Sequence, residues 1–258
     1  MQHQNIIFSN NIAKELGKII DSITHNKLFI LSDENSGKYA LPLIGDEICN
    51  KVNVITIPAG DANKNLETLS FVWSELQKGG ATRNSLMINL GGGVVTDLGG
   101  FAATTFKRGI RFINVPTTLL SAVDAAVGGK TGINFNGLKN EIGAFREADA
   151  VLIATAFLKT LPENEIKSGY AEMLKHGLLS SYKSYRKLIE YNISELSEDR
   201  LLTLLEESVG VKRNIVEQDP FEKGLRKALN LGHTAGHAFE SMALKSGKPT
   251  PHRYAVAS

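Results

Sequence analysis

Five short apolar runs, rich in β-branched residues and regularly spaced, constrain the fold of this chain more than anything else in it. They are Lys27–Leu31 (KLFIL), Val52–Ile57 (VNVITI), Ser85–Leu90 (SLMINL), Arg111–Val115 (RFINV) and Ala150–Ile153 (AVLI). Near-continuous apolarity over so few residues suits strands buried on both faces of a parallel sheet. Between them, Asn65–Lys78 repeats Leu66, Leu69, Val72, Trp73 and Leu76 at helical spacing. Strands alternating with helices imply an α/β domain with a mostly parallel sheet. Ligands of such sheets bind outside the carboxyl ends of the strands. Asp33, Gly60-Asp61, Gly91–Gly93 and Pro116-Thr117-Thr118 follow strands and are expected to gather there.

Beyond about Thr160 the strand signal stops. Pro162, Glu163 and Glu165 make a helix first turn, where proline and acidic residues are favoured. Lys167–Tyr182, Tyr185–Leu196, Glu198–Gln218 and Gly224–Ser246 read as helices. The chain therefore divides into an α/β half, residues 1–160, and an all-helical half, residues 161–258, with a cleft expected between them. Pro251–Ser258 has the pattern of a helix start, so the helical half is expected to be incomplete.

Length and composition suit a globular enzyme: 258 residues, 42% hydrophobic and 22% charged. A net charge of +2 argues against a nucleic-acid or anionic-membrane partner. No apolar run approaches a membrane span, and the first residues lack the pattern of a signal peptide. Cys49 is the single cysteine, which fits a reducing compartment. A cytoplasmic location is expected.

Leu90–Phe145 holds the first chemical signal, because it sets glycines beside Asp, Thr, Lys and Asn directly after a strand. Glycine permits close approach of a ligand to backbone N–H groups, so an anion site is expected here. Gly91-Gly92-Gly93 fails the G-x-G-x-x-G fingerprint because Thr96 replaces its last glycine. The cluster serves either a pyrophosphate cradle or a tight strand-to-helix turn. Asp97, one turn into the next helix, is a dipole partner or a ligand contact. Gly129-Lys130-Thr131 is not a P-loop, since Asp124 stands where the first glycine belongs. Lys130 and Lys139 read instead as two lysines on one loop with Asn140, set for a phosphate or carboxylate. Solvated surface lysines are the plainer alternative; the surrounding glycines and Asp124 favour the site.

The helical half holds the second signal. Arg226, Asn230, His233 and His237 fall at i, i+4, i+7 and i+11, one polar stripe if Gly224–Ser246 is a helix. On an earlier helical segment Glu172, Lys175 and His176 lie within one turn, either a metal-binding group or an ordinary Glu–Lys pair. Spacing leaves Glu172, His176, His233, His237 and His252 as candidates for a nitrogen/oxygen metal site.

GGGVVTDLGGFAATTFKRG, VPTTLLSAVDAAVGGKTGIN, KNEIGAF, GYAEMLKHG and LNLGHTAGHAFE, in this order, resemble the 3-dehydroquinate synthase family of sugar-phosphate cyclases along almost the whole chain. The resemblance implies a Rossmann-like α/β N-terminal domain for NAD and an all-helical C-terminal domain for metal and substrate. It implies zinc or cobalt on Glu172, His233 and His252. It implies NAD contacts at Asp33, Asp61, Lys64, Gly92, Gly93, Val94, Asp97, Thr117, Thr118, Phe157 and Thr160, with Lys130 and Lys139 beside the cofactor. On the substrate side it implies Arg108, Asp124, Lys130, Lys139, Asn140, Lys175, Lys212, Arg226, Asn230 and His237. Of these, Asp124, Lys130, Asn140, Lys175, Lys212, Arg226 and His237 are the implied catalytic group.

The implied reaction belongs to the shikimate pathway and converts 3-deoxy-D-arabino-heptulosonate 7-phosphate into 3-dehydroquinate and phosphate. It proceeds by transient oxidation with NAD, β-elimination of phosphate, re-reduction and an intramolecular aldol closure, and the family implies a homodimer. Asp61 stands where the family more usually has Glu, and Arg253-Tyr254 follow His252 in place of Gly-Glu. Alternatives are a sister cyclase acting on another sugar phosphate, a metal- and NAD-dependent alcohol dehydrogenase, and a non-catalytic remnant that binds NAD.

Overall fold

The computed structural model describes residues 4–191 and 198–232 and divides the chain into two compact units, Met1–Leu161 and Pro162–Ser258. The first is a Rossmann-like α/β unit. Its strands are β1 (Asn5–Phe8), β2 (Leu28–Asp33), β3 (Asn53–Ile57), β4 (Leu86–Gly91), β5 (Arg111–Pro116), β6 (Lys130–Phe135), β7 (Leu138–Phe145) and β8 (Ala150–Ile153). Six of them form a parallel sheet in the order β1-β8-β5-β4-β2-β3. All five expected strands are present. The addition at the sheet edge, β1, carries only Ile6, Ile7 and Phe8 between polar residues, too little for a periodicity to register.

Each central strand feeds both faces of the sheet, as continuous apolarity requires. Leu28 and Ile30, Leu86 and Ile88, Ile113 and Val115 pack with Ile12, Leu16, Ile19 and Ile20 of α1 (Ile12–Ser22) in one buried core. The opposite face receives α4 (Leu66–Lys78) and α5 (Gly93–Thr105). There α5 comes so close that a Cβ on Gly99 would fall 2.8 Å from Leu31 Cδ2, and one on Gly100 2.5 Å from Thr131 Cγ2. Local caps set the helix starts. Asn65 accepts from the Thr68 N–H at the head of α4, and Asp33 forms a capping box with Ser36 at the head of α2 (Glu34–Tyr39).

β6 and β7 form a separate antiparallel hairpin that packs on α5. Its two-residue turn is Asn136-Gly137, with φ of +49° and +79°, the left-handed pair that a type I′ turn demands.

The second unit is helical throughout its described residues: α6 (Glu163–Ser180), α7 (Tyr182–Ile189), α8 (Glu198–Gln218) and a 3-10 turn over Leu225–Asn230. α7 begins on the Ser181 side chain, which caps the Ser184 N–H. The Tyr170 hydroxyl of α6 donates to the Leu188 carbonyl of α7 at 2.5 Å. The expected helix over Gly224–Ser246 does not begin as one. Leu231 leaves helical dihedrals and Gly232 has φ of +80°, so the chain breaks direction there.

Candidate functional site

Strand order places the ligand edge of the first unit. The chain runs from β2 outward to β3, then returns to β4 on the other side of β2. That reversal opens a crevice at the carboxyl ends of β2 and β4, the usual dinucleotide position in such sheets. Asp33 ends β2 and Gly91 ends β4. Gly92 is the N-cap of α5 and no side chain caps it, so the first-turn N–H groups are offered to an anion. None of Gly91–Gly93 has positive φ, so their use here is closeness rather than left-handed backbone. A Cβ on Gly91 would fall 2.5 Å from Val95 Cγ2, and one on Gly92 3.1 Å from Thr118 Cγ2.

The next strand is tied to the same edge. The Thr117 N–H and, at 3.4 Å, the Ser121 hydroxyl both donate to the Gly91 carbonyl. Asp124 rides on a π-helical turn, Ser121–Ala125, just beyond; Ala125 Cβ would lie 3.5 Å from a Cβ on Gly93. A buried amide chain holds that turn: Asn89 donates to Asn114 Oδ1 at 2.9 Å, and Asn114 donates to the Ala126 carbonyl at 3.3 Å.

The hairpin brings a second group to this edge. Lys64, 5% exposed, donates to Asp97 Oδ2 on α5 and to Asn140 Oδ1 on β7, each at 2.5 Å. Lys139 lies 3.7 Å from Asp61. Asn134 gathers the rest. Its amide donates to the Asp61 carboxylate and carbonyl, and its oxygen accepts the Asn140 N–H. Asp61, Lys64, Asp97, Lys139 and Asn140 thus form one polar constellation. Asn134 is the member that sequence reasoning missed. The Asn-Gly turn signal two residues later would have announced the hairpin that carries it.

Other expected residues fall elsewhere. Lys130 and Lys139 do not share a loop: β6 pairs Lys130 with Phe145, so the two lysines sit toward opposite ends of the hairpin. Phe157 is 3% exposed and belongs to the apolar core, which leaves its backbone for any ligand contact, while Thr160 of the same 3-10 turn is exposed. Arg108 precedes β5, at the amino-terminal edge of the sheet. α5 has carried the chain back across the sheet before Arg108 is reached. Lys107 and Arg108 there hold φ of +49° and +67°.

In the second unit charge is buried. Glu172, Lys175, His176, Lys212 and Arg226 are each at most 7% exposed. Buried charges are paired or hold metals, because desolvation otherwise costs several kcal/mol on the order given by small-ion transfer. Lys175 Nζ lies 2.5 Å from Glu172 Oε1 and donates to the Leu229 carbonyl, so at least two of its three donors are used. His176 Nε2 faces the same Glu172 oxygen at 3.4 Å without making a hydrogen bond, and its Nδ1 lies 2.8 Å from Ser208 Oγ on α8. Arg226 donates to the Pro220 carbonyl at 2.7 Å. Its turn is built by Asp219, whose carboxyl is held below its usual value by hydrogen bonds from the N–H groups of Gly224, Lys223 and Arg226.

The polar stripe expected from Arg226 and Asn230 does not form. In a 3-10 turn residues four apart lie about 120° around the axis, so Arg226 is buried while Asn230 is exposed and donates to Glu222. His233, His237 and His252 lie outside the described residues.

Known proteins resolve what this combination is. The chain matches two adjoining family models, "3-dehydroquinate synthase N-terminal" over residues 54–168 and "3-dehydroquinate synthase C-terminal" over residues 169–258. The chain belongs to the 3-dehydroquinate synthase family. A 3-dehydroquinate synthase of Parabacteroides distasonis is 49% identical over 259 residues, spanning 100% of this chain and 73% of that protein. Among solved structures, the 2-epi-5-epi-valiolone synthase of Streptomyces hygroscopicus, with NAD+ and Zn2+ bound, superposes with a TM-score of 0.88. It is 25% identical and covers 99% of this chain and 72% of its own. A 2-deoxy-scyllo-inosose synthase complexed with carbaglucose-6-phosphate, NAD+ and Co2+ gives 0.86 at 25% identity, over 98% and 71%. The glycine edge and hairpin fall within the region matched by the N-terminal model, and the buried Glu172 group within that matched by the C-terminal one.

Proposed function

We propose that this chain is a 3-dehydroquinate synthase that uses NAD and a divalent metal, zinc or cobalt. It converts 3-deoxy-D-arabino-heptulosonate 7-phosphate into 3-dehydroquinate and phosphate. The observation that carries the reading is the 49% identity with a 3-dehydroquinate synthase across the full chain. Local geometry fits the cofactor, and donor chemistry fits the metal. The uncapped α5 start on Gly92-Gly93, with Val94 in its first turn and Thr117-Thr118 beside it, suits a pyrophosphate; Asp33 at the end of β2 suits the far side of the crevice. Glu172 is a buried carboxylate, and with His233 and His252 it makes an oxygen/nitrogen donor set that suits zinc or cobalt.

NAD supplies a reversible hydride acceptor and the metal a Lewis acid. The side chains do the rest. Lys139 and Asn140, near the hairpin turn of the first unit, are assigned to the substrate's anionic group, as are, separately, Arg226 and Asn230 of the second; Lys130 stands at the far end of the hairpin. Lys64 fixes Asn140 against Asp97, so the amide is oriented before substrate arrives. Lys175, Lys212 and His237 of the second unit and Asp124 of the first are assigned to the sugar by the family resemblance. Net oxidation is zero: phosphate leaves, a carbocycle closes, and the cofactor returns to its starting state.

A homodimer belongs to the same proposal. Arg108 sits at the sheet edge opposite Asp97 and Asn140, so for it to meet substrate it must serve a second copy of the chain.

The decisive assay supplies the heptulosonate phosphate, catalytic NAD and zinc, and follows phosphate release. Release with no net NADH is the expected result. Net NADH accumulating from a polyol would instead support a dehydrogenase. Mixing an Arg108→Ala chain with a Lys130→Ala chain should restore part of the activity that each lacks alone; no restoration would refute the shared site.

A further inference from the structure

His176 is among the most deeply enclosed titratable side chains described, 0% exposed, and the proposed reaction leaves it unused. Its Nδ1 meets the Ser208 hydroxyl at 2.8 Å; its Nε2 makes no hydrogen bond and lies 3.4 Å from Glu172 Oε1. A buried N–H without a partner is costly, and so is a buried ring nitrogen lone pair, so the pairing decides the tautomer. A serine hydroxyl can donate to Nδ1. A carboxylate can only accept, so a bond between it and Nε2 requires the proton on that nitrogen. Ser208 is itself 5% exposed and sits on α8, a different helix from His176 and Glu172, so the relay also ties α6 to α8.

We infer that His176 and Ser208 are positioning residues that orient the Glu172 carboxylate for its metal. The Ser208 O–H donates to His176 Nδ1, and His176 Nε2–H directs Glu172 Oε1, with Lys175 Nζ on the same oxygen. Outer partners of this kind fix a ligand's plane, and their loss weakens metal binding by about 10–100-fold. The inference rests on the proposed metal site. It also gives the histidine four residues from Glu172 a role other than that of a ligand.

The test measures Zn2+ affinity of the full chain by chelator competition, with the Co2+ visible spectrum and 15N chemical shifts of the histidine side chains. Glu172→Ala should abolish binding. Ser208→Ala should weaken it by about 10–100-fold, move the Co2+ spectrum and shift the His176 15N pair; Ser208→Thr should restore all three. His176→Gln keeps an N–H at the Nε2 position and should stay near the parent, whereas His176→Phe should match or exceed the Ser208→Ala loss. Parent-like affinity in both Ser208→Ala and His176→Phe would overturn the inference. So would His176→Gln failing as completely as Glu172→Ala, since that would make His176 a ligand. Undiminished binding in Glu172→Ala would overturn the metal site itself, an arm independent of His176.

Discussion

Lys64 shows how one buried cation can organise a site built from distant segments. Its ammonium is enclosed with Asp97 of α5 and Asn140 of β7, 33 and 76 residues away in sequence. Removing the ammonium strands the carboxylate as well as losing the bond, and that asymmetry sets the size of the effect. Lys64→Met should cost on the order of 2 kcal/mol by urea unfolding, and Asp97→Asn in the same chain should recover part of it. NAD affinity should fall with it, because Asn140 and Asp97 lose their shared anchor. An additive double variant would show that the pair is not coupled. Tyr170 gives a residue-scale prediction in pH. Burial, with Tyr191 nearby and Arg200 opposing, pushes its phenol from the ordinary value near 10 up to about 12. The unfolded chain releases that proton near pH 10 while the folded one keeps it. The folded state therefore holds the extra proton between those values, and stability falls as pH rises through the window, being fully present below 10. Tyr170→Phe should lower stability by about 1 kcal/mol at neutral pH through its lost bond to Leu188. It should also flatten the alkaline decline, read as urea midpoints across that range; an unchanged slope would assign the decline to other groups.

Elements differ in how openly the chain announces them. The buried parallel strands were legible because each must be apolar on both faces, as Leu28–Leu31 and Leu86–Ile88 are. Helix α4 was legible from its period and from Asn65 at its head. The hairpin was hidden: Gly132 and Gly143 interrupt its alternation, Asn140 adopts φ of +53°, and most of β7 is exposed. Only Asn136-Gly137 betrays it. The site was legible as a set of residue types and illegible as geometry. Nothing along the chain says that Asn134 would meet Asp61, or that Ser208 would meet His176. Two glycines that shape the hairpin, Gly137 in its turn and Gly100 of α5 against Thr131, can be separated by substitution. Gly137→Ala meets nothing within 4 Å, so its cost is the left-handed backbone alone, about 1–2 kcal/mol, and Gly137→Asn should cost less. Gly100→Ala drives a methyl to 2.5 Å from Thr131 Cγ2 and should destabilise by about 1–3 kcal/mol whichever residue replaces glycine. Equal penalties for Ala and Asn at position 137 would argue against the type I′ turn.

At the scale of the whole molecule, two compact units carry separate parts of one proposed chemistry, and ligand linkage can tell which part each serves. A ligand that binds only the folded form stabilises it by about 2.7 kcal/mol at a hundred times its Kd, which slows amide exchange about 100-fold wherever opening requires its release. NAD should therefore protect the first-turn amides of α5, the Thr117–Ala126 segment and Asn134–Asn140, all in the unit ending at Leu161. Zn2+ should protect α6 around Glu172 and, through the Ser208 tie, α8. Neither should protect α1, whose buried face packs in the apolar core under the sheet and meets no proposed ligand. Exchange measured by mass spectrometry on peptides from each unit gives the comparison directly. Protection of α6 by NAD alone, or of Gly92–Asp97 by Zn2+ alone, would exchange the proposed roles of the two units. The sister cyclases of similar fold sharpen the same point. The 2-epi-5-epi-valiolone synthase and 2-deoxy-scyllo-inosose synthase structures carry NAD+ with Zn2+ or Co2+. Those two protection patterns should therefore be shared across such folds, while discrimination among sugar phosphates should fall to the polar positions proposed for the substrate. Lys175 and Lys212, proposed for the sugar rather than the phosphate, are the first to exchange, with phosphate release from the alternative sugar phosphates as the readout.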